Sequence, residues 1–283
     1  MQTLFLALLL GVVLSLLAPP LQGRVRGVLA GRRGLVWLTP FALTGVFAIA
    51  SLLVGAFTIP LTAAVLVYTA LPVAASWMGQ DLLAVLLLWL PIEFAAGQSL
   101  VPIPARGFLH SVAYGVAILL GLTLFLGFRA LPGLKYNLPR NTRDLWLPLA
   151  GFAGVAPVLI AVGMAIGFIP APHLPVQPAG KMAGAVAIIF AGTALPEEIL
   201  FRSLIQNLLM QRLGPTTRVL LLASVIFGAA HLDNGPQPLP NWRYMIVATI
   251  AGIAYGKVFQ KSNSVCSSAV LHMMVDWTKH FFF

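Results

Sequence analysis

Runs of apolar residues long enough to cross a lipid bilayer recur along almost the whole chain, and they constrain its fold more than any other feature. Hydrophobic residues make up 59% of the 283 residues, and charged residues only 8%. A soluble domain carries about 25% charged residues, so this chain lacks the polar surface that a soluble protein presents to water. We therefore predict an integral membrane protein of the all-α class.

The fold predicted from these runs is a polytopic transmembrane helical bundle with about 8–10 spans. The spans are predicted near 3–18, 35–55, 61–78, 82–97, 107–128, 147–168, 181–200, 218–232, 243–260 and 265–281. The basic residues concentrate in alternate loops, beginning with Arg24 to Arg33, as the positive-inside rule requires of cytoplasmic loops. Short loops and the lack of organelle signals favour a bacterial plasma membrane.

The net charge of +10 is assigned to the membrane surface. The basic residues are scattered between apolar runs, where they contact anionic headgroups, and they do not form the single patch that nucleic-acid binding requires. A proline-rich stretch at 168–181 separates two blocks of spans. We predict an N-terminal helical region at 1–145, to which no role is assigned, and a C-terminal region at 146–283 that holds every motif described below.

The segment PEEILFR places two glutamates and an arginine inside an apolar helix. Glu198 and Arg202 are four residues apart, so they share one helix face and are predicted to pair. Glu197 points about 100° away from Glu198 and has no local cation. Glu197 is therefore the residue that a purely structural role explains least well.

Two further helices carry polar residues at helical spacing. Phe227 and His231 share one face, and so do His272 and Asp276. Ionisable side chains inside a membrane are costly and normally face a bundle interior or a wet cavity. Each pair alone could be structural, but together they predict one shared site.

These three motifs, taken in order, resemble the CPBP family. That family comprises the type II CAAX prenyl endopeptidases and bacterial relatives such as bacteriocin self-immunity proteins. The resemblance covers roughly 180–283, and it implies that 146–283 is an intramembrane protease region. It implies Glu197 as general base and His231 as its partner, with Glu198 and Arg202 holding the geometry.

The resemblance further implies that His272 and the residue at position 276 stabilise the oxyanion. The prenyl-protease branch prefers Asn at that position, where this chain has Asp276. An ionised aspartate cannot donate a hydrogen bond, so Asp276 either carries a proton or orients His272. The predicted catalytic residues are thus Glu197, His231, His272 and Asp276, supported by Glu198, Arg202 and Phe227.

Two alternatives stay open at this stage. Zinc could be bound by Glu197, His231, His272 and Asp276, which would make a metalloprotease; the favoured mechanism needs no cofactor. Buried Glu–Arg and His–Asp pairs also occur in proton-coupled transporters, and a non-enzymatic binding or immunity protein would tolerate them too. The predicted partners are the lipid bilayer and a peptide or membrane-protein substrate, prenylated in the CAAX case; no nucleic acid is expected.

Overall fold

The computed structural model describes residues 1–235 and 237–283, and it confirms the all-α class. Helices account for every regular element in the described residues, which contain no strand. The chain divides into two compact units, Met1–Leu134 and Lys135–Phe283. The division precedes the first helix of the second unit, whereas the boundary predicted from sequence, 145/146, falls inside that helix.

The first unit contains six α-helices. They are α1 (Gln2–Ser15), α2 (Pro19–Gly31), α3 (Thr39–Leu53), α4 (Ile59–Trp77), α5 (Asp81–Glu93) and α6 (Arg106–Leu122), with a π-helical extension of α6 at Thr123–Phe128 and short 3-10 turns at Arg33–Leu38, Gln98–Leu100 and Ile103–Ala105. The helix α2 occupies residues that we expected to begin a cytoplasmic loop. Prolines suit the first turn of a helix, and Pro19 and Pro20 start α2 at an angle of 84° to α1.

The described residues of the second unit form seven α-helices. They are α7 (Thr142–Ala165), α8 (Ala179–Ile189), α9 (Leu195–Glu198), α10 (Asn207–Leu213), α11 (Thr217–Ala229), α12 (Trp242–Lys261) and α13 (Val265–Phe282). The π-helical segments Phe190–Ala194 and Ile199–Gln206 join α8, α9 and α10 into one helical stretch, Ala179–Leu213.

Each of the predicted spans coincides with a helix, but not every helix could cross a bilayer unaided. Among the described residues, five helices are long and apolar enough, or six if the bent pair α1 and α2 forms one span. These five are Arg33–Leu53, Ile59–Trp77, Ile103–Phe128, Thr142–Ala165 and Ala179–Leu213. The chain is therefore an all-helical integral membrane protein.

Close packing of α11 against α12 positions the site. A Cβ added at Gly228 would lie 2.6 Å from the Met245 carbonyl oxygen, and one at Gly252 would lie 3.1 Å from Cδ1 of Phe227. Both glycines therefore let the two helices approach more closely than larger residues would. As a result, the side chains of α11 and α12 meet on the face that carries Phe227.

Candidate active site

The glutamate pair lies within the stretch Ala179–Leu213, next to both π-helical segments. Pro196 has no backbone N–H to donate to the preceding turn, and the π-helical segment Phe190–Ala194 ends two residues before it. The second π segment, Ile199–Gln206, begins directly after Glu198. Such π-helical turns are frequent at functional sites.

Glu198 and Arg202 form the predicted pair in the interior of the second unit. The Arg202 Nε donates to Glu198 Oε2 over 3.0 Å, and both side chains are completely buried. The guanidinium carbon also lies 4.5 Å from the ring centroid of Phe227 and 5.6 Å from that of Tyr255. The charge of Arg202 is thus compensated by one carboxylate and two aromatic faces.

His272 connects the glutamate pair on α9 to Asp276 on its own helix, α13. Its Nδ1 lies 3.2 Å from Glu198 Oε1, and its Nε2 lies 3.4 Å from Asp276 Oδ2 and 3.9 Å from Glu197 Oε2. Ionised carboxylates only accept hydrogen bonds. An imidazole with a carboxylate oxygen at each nitrogen therefore suits the doubly protonated, positively charged form.

Glu197 and Asp276 are the two carboxylates of the site that retain exposure. Their side chains are 21% and 30% exposed, whereas that of Glu198 is fully buried. The Oε2 atom of Glu197 is itself buried, and it has no hydrogen-bond partner among the residues that the structure describes. Asp276 lines a cavity of about 790 Å³ that is also bounded by Tyr244. The site thus contains a buried carboxylate oxygen that accepts no hydrogen bond from the described residues.

His231 contacts the other residues of the site through aromatic rings. Its Nδ1 lies 2.9 Å from the carbonyl oxygen of Phe227 and must donate there, because a carbonyl only accepts. In a neutral His231, Nε2 therefore carries no proton and is the nitrogen that can accept a hydrogen bond. Its ring lies 4.8 Å from that of Phe227 and 4.5 Å from that of Tyr244. Within the described part of the chain, no carboxylate oxygen comes within 4.0 Å of His231.

Phe227 links the two histidines. Its ring centroid is 4.8 Å from His231 and 5.7 Å from His272, both edge to face. The structure thus brings Glu197, Glu198, His272 and Asp276 into direct proximity, whereas His231 is connected to them through the Phe227 ring. Glu93 lies in the first unit, where it accepts a hydrogen bond from Trp89 Nε1 over 2.8 Å.

Two tyrosines of α12 belong to the site and were not predicted. Tyr255 stacks on the ring of His272 at 4.6 Å, with an angle of 21° between the planes. Tyr244 contacts His231 on the cavity side. The two are eleven residues apart, which is close to three helical turns, so they lie on one face of α12. That spacing was the signal that could have identified them.

The described residues contain no group of three His, Cys, Asp or Glu side chains spaced to hold a metal ion. The nitrogens of His272 face Glu198, Asp276 and Glu197, so this ring makes hydrogen-bonding or ionic contacts in the present arrangement. The predicted zinc ligand set is not assembled here. Whether the activity depends on a metal stays a prediction, and cleavage measured with and without a chelator tests it.

Comparison with known proteins agrees with the motif analysis. Residues 179–278 match the family model of the Rce1-like type II CAAX prenyl endopeptidases. A search of curated proteins found no match, and a search of solved structures found none either. The matched range contains all seven predicted site residues, from Glu197 to Asp276. The resemblance to the CPBP family is thereby confirmed: over residues 179–278, this membrane protein is similar to the type II CAAX prenyl endopeptidases, a family of peptidases.

Proposed function

We propose that the protein is an intramembrane endopeptidase in which Glu197 activates the attacking water. The observation that carries this proposal is the unbonded Oε2 of Glu197, 3.9 Å from His272 Nε2. Glu197 would take a proton from water as the oxygen attacks the peptide carbonyl carbon. It would then give that proton to the amide nitrogen as the C–N bond breaks.

His272 supplies the positive charge that this reaction needs. Attack on the carbonyl places a negative charge on its oxygen, and preset donors stabilise that charge best where bulk water is excluded. The ring is buried, it is oriented by Glu198 and Asp276, and its rear face is covered by Tyr255. We assign electrostatic stabilisation of the oxyanion to the positive charge of His272, and to Asp276 the orientation of its ring.

His231 is proposed as the second proton carrier. Its Nδ1 donates to the Phe227 carbonyl, so its Nε2 is the nitrogen able to exchange protons with water or substrate. Glu198 and Arg202 are proposed to fix the positions of Glu197 and His272. This division of roles requires no metal step.

The experiment that tests the proposal is cleavage of a membrane-peptide library by the purified full chain in nanodiscs. The wild type is compared with Glu197→Gln, with and without a metal chelator. Glu93→Gln is the matched control, because Glu93 lies in the other unit and bonds to Trp89. Cleavage that Glu197→Gln abolishes and chelator leaves intact supports the proposal. Loss of cleavage with chelator supports a metalloprotease instead.

The same library distinguishes an enzyme from a transporter or an immunity protein. Absence of cleavage by the wild type across prenylated and unprenylated peptides would contradict the endopeptidase proposal. We propose a substrate that reaches the site from the bilayer, in a bacterial plasma membrane. Pairs of peptides that differ only in a prenyl group on one cysteine measure whether that group is required.

A further inference from the structure

The first unit contains a cavity that the mechanism above does not use. It has a volume of about 200 Å³ and lies between α3, α4, α6 and the end of α5. Its walls are mainly apolar, and the lining side chains include Phe47, Leu61, Leu109 and Val116. Every lining residue belongs to Met1–Leu134. The cavity is therefore a feature of the unit that carries none of the three motifs.

Arg106 places a positive charge at one end of this cavity. It is the first residue of α6, and the apolar span that contains it, Ile103–Phe128, begins three residues earlier. The side chain therefore lies near the level at which a span meets the lipid headgroups. Its Nε donates to the carbonyl oxygen of Val101 over 3.1 Å. Within the described residues the guanidinium takes part in no ion pair, which leaves its charge to be matched by an anion.

The cavity has no negative charge of its own to match Arg106. Among the described residues, its lining includes the basic side chains of Arg106 and His110 and no acidic side chain. Glu93 follows the lining residue Ile92 in sequence but does not line the cavity, and it accepts a hydrogen bond from Nε1 of Trp89 over 2.8 Å. A basic group at one end of an apolar cavity complements a molecule that has an anionic head and an apolar chain.

The length of the cavity corresponds to one leaflet of a bilayer. Along α6 its lining runs from Arg106 to Val116, which is about 15 Å at the rise of an α-helix. The hydrocarbon core of a bilayer is about 30 Å thick, so one leaflet contributes about 15 Å. His110 and Ala64 line the cavity and are exposed, so it opens at the surface of the unit. An acyl chain can therefore enter it from the bilayer.

We propose that this cavity binds an acyl chain of an anionic phospholipid and that Arg106 binds the phosphate of the same lipid. The guanidinium offers paired N–H donors to the phosphate oxygens. The chain lies between α4 and α6, beside Leu61 and Leu109. A ligand that binds only the folded protein stabilises it, so the lipid stabilises the helices of the first unit. This inference does not depend on the proposed peptidase function.

The test measures lipid binding to the purified full-length protein in a neutral detergent. The probes are phosphatidylglycerol and phosphatidylcholine with the same long acyl chains, and glycerophosphoglycerol, which is the anionic headgroup without chains. Native mass spectrometry counts the bound molecules, and the rise in unfolding temperature during titration gives the affinity.

Three variants accompany the wild type in this test. Arg106→Gln removes the charge, and Ala113→Leu narrows the cavity from α6. Arg24→Gln is the matched control, because Arg24 is an exposed arginine of the same unit that does not line the cavity. If Ala113→Leu unfolds at a much lower temperature before lipid is added, Ala64→Leu narrows the cavity from α4 instead.

We expect the wild type to bind phosphatidylglycerol about tenfold or more tightly than phosphatidylcholine, the scale of a hydrogen bond to a charged group. Arg106→Gln should lose this preference, and Arg24→Gln should keep it. The narrowed cavity should weaken the binding of both lipids, and glycerophosphoglycerol should bind far more weakly than the intact lipid.

Three results would overturn the inference. An unchanged preference in Arg106→Gln would exclude Arg106 as the phosphate ligand. Equal losses in Arg106→Gln and Arg24→Gln would mean that the lipid responds only to the overall surface charge. Equal affinity for glycerophosphoglycerol and phosphatidylglycerol would assign a site for a soluble anion rather than for a lipid chain. None of these measurements involves cleavage, so their outcome is separate from that of the peptidase test.

Discussion

A hydrogen bond joins His272 on α13 to Glu198 on α9, with Nδ1 of the ring 3.2 Å from Oε1 of the carboxylate. The other oxygen of Glu198 accepts from Arg202 over 3.0 Å. One fully buried carboxylate therefore connects the helix of the glutamate pair to the helix of the second histidine. Because this bond fixes the ring, Nε2 is directed toward Asp276 and Glu197.

The first prediction concerns this buried pair. Glu198→Gln should lower the free energy of unfolding by about 3–5 kcal/mol, because it leaves the Arg202 charge buried without its carboxylate. Thermal unfolding in detergent measures the change. The double variant Glu198→Gln/Arg202→Met removes both charges and should be less destabilised than Glu198→Gln alone. A double variant that unfolds at a lower temperature than the single one would argue against a compensating pair.

The second prediction tests whether Asp276 acts by orienting the His272 ring or through its own negative charge. Asparagine can still accept a hydrogen bond from His272 Nε2 through its amide oxygen. Asp276→Asn should therefore keep kcat within about tenfold of the wild type, whereas Asp276→Leu should lose about a hundredfold, on the scale of proton-transfer groups. Peptide cleavage in nanodiscs provides the measurement. Equal losses in both variants would show that the carboxylate charge itself is required.

Contacts within one helix were the part of the site that sequence could predict. The pairing of Glu198 with Arg202 follows from a spacing of four residues, and so does the approach of Asp276 to His272. Helical geometry fixes such neighbours whatever surrounds them. The membrane class likewise follows from composition alone.

Contacts between helices were not predictable in the same way. That His272 faces Glu198, and that Tyr255 stacks on His272, depends on which faces of separate helices meet. Those faces are selected by packing at glycines such as Gly228 and Gly252, for which a single sequence gives no contact partner. Helix α2 was missed because the basic residues from Arg24 to Arg33 were assigned to a loop, whereas Pro19 and Pro20 start a helix there.

The third prediction tests that packing. A Cβ at Gly228 would lie 2.6 Å from the Met245 carbonyl and would collide with Oγ1 of Thr249, so Gly228→Ala must push α11 away from α12. We expect a loss of about 1–3 kcal/mol in the free energy of unfolding, as for other overpacked interiors. Cleavage should also fall, because His231 on this side contacts Tyr244 of α12.

Gly154→Ala is the matched control for this change. It lies within α7, and an added Cβ there meets nothing within 4 Å. Alanine at an open helical position should leave stability equal or slightly higher. Equal thermal unfolding and equal cleavage in the Gly228 and Gly154 variants would refute a role for the close α11–α12 contact.

The last prediction concerns the junction between α12 and α13, which places Tyr255 and His272 opposite each other. Lys135 Nζ donates to the carbonyl oxygens of Phe259 over 2.7 Å and Ser262 over 2.8 Å, at the end of α12. Lys135→Met would leave both carbonyls without this charged donor. We expect a loss of about 3 kcal/mol in the free energy of unfolding, since each hydrogen bond to a charged group contributes about 1.5–3 kcal/mol.

Lys181→Met, at an exposed position near the start of α8, is the control for removing one positive charge. The same shift in thermal unfolding for both variants would mean that the Lys135 bonds do not stabilise the junction. A larger shift for Lys135→Met would show that a lysine outside the three motifs supports the helix that carries His272.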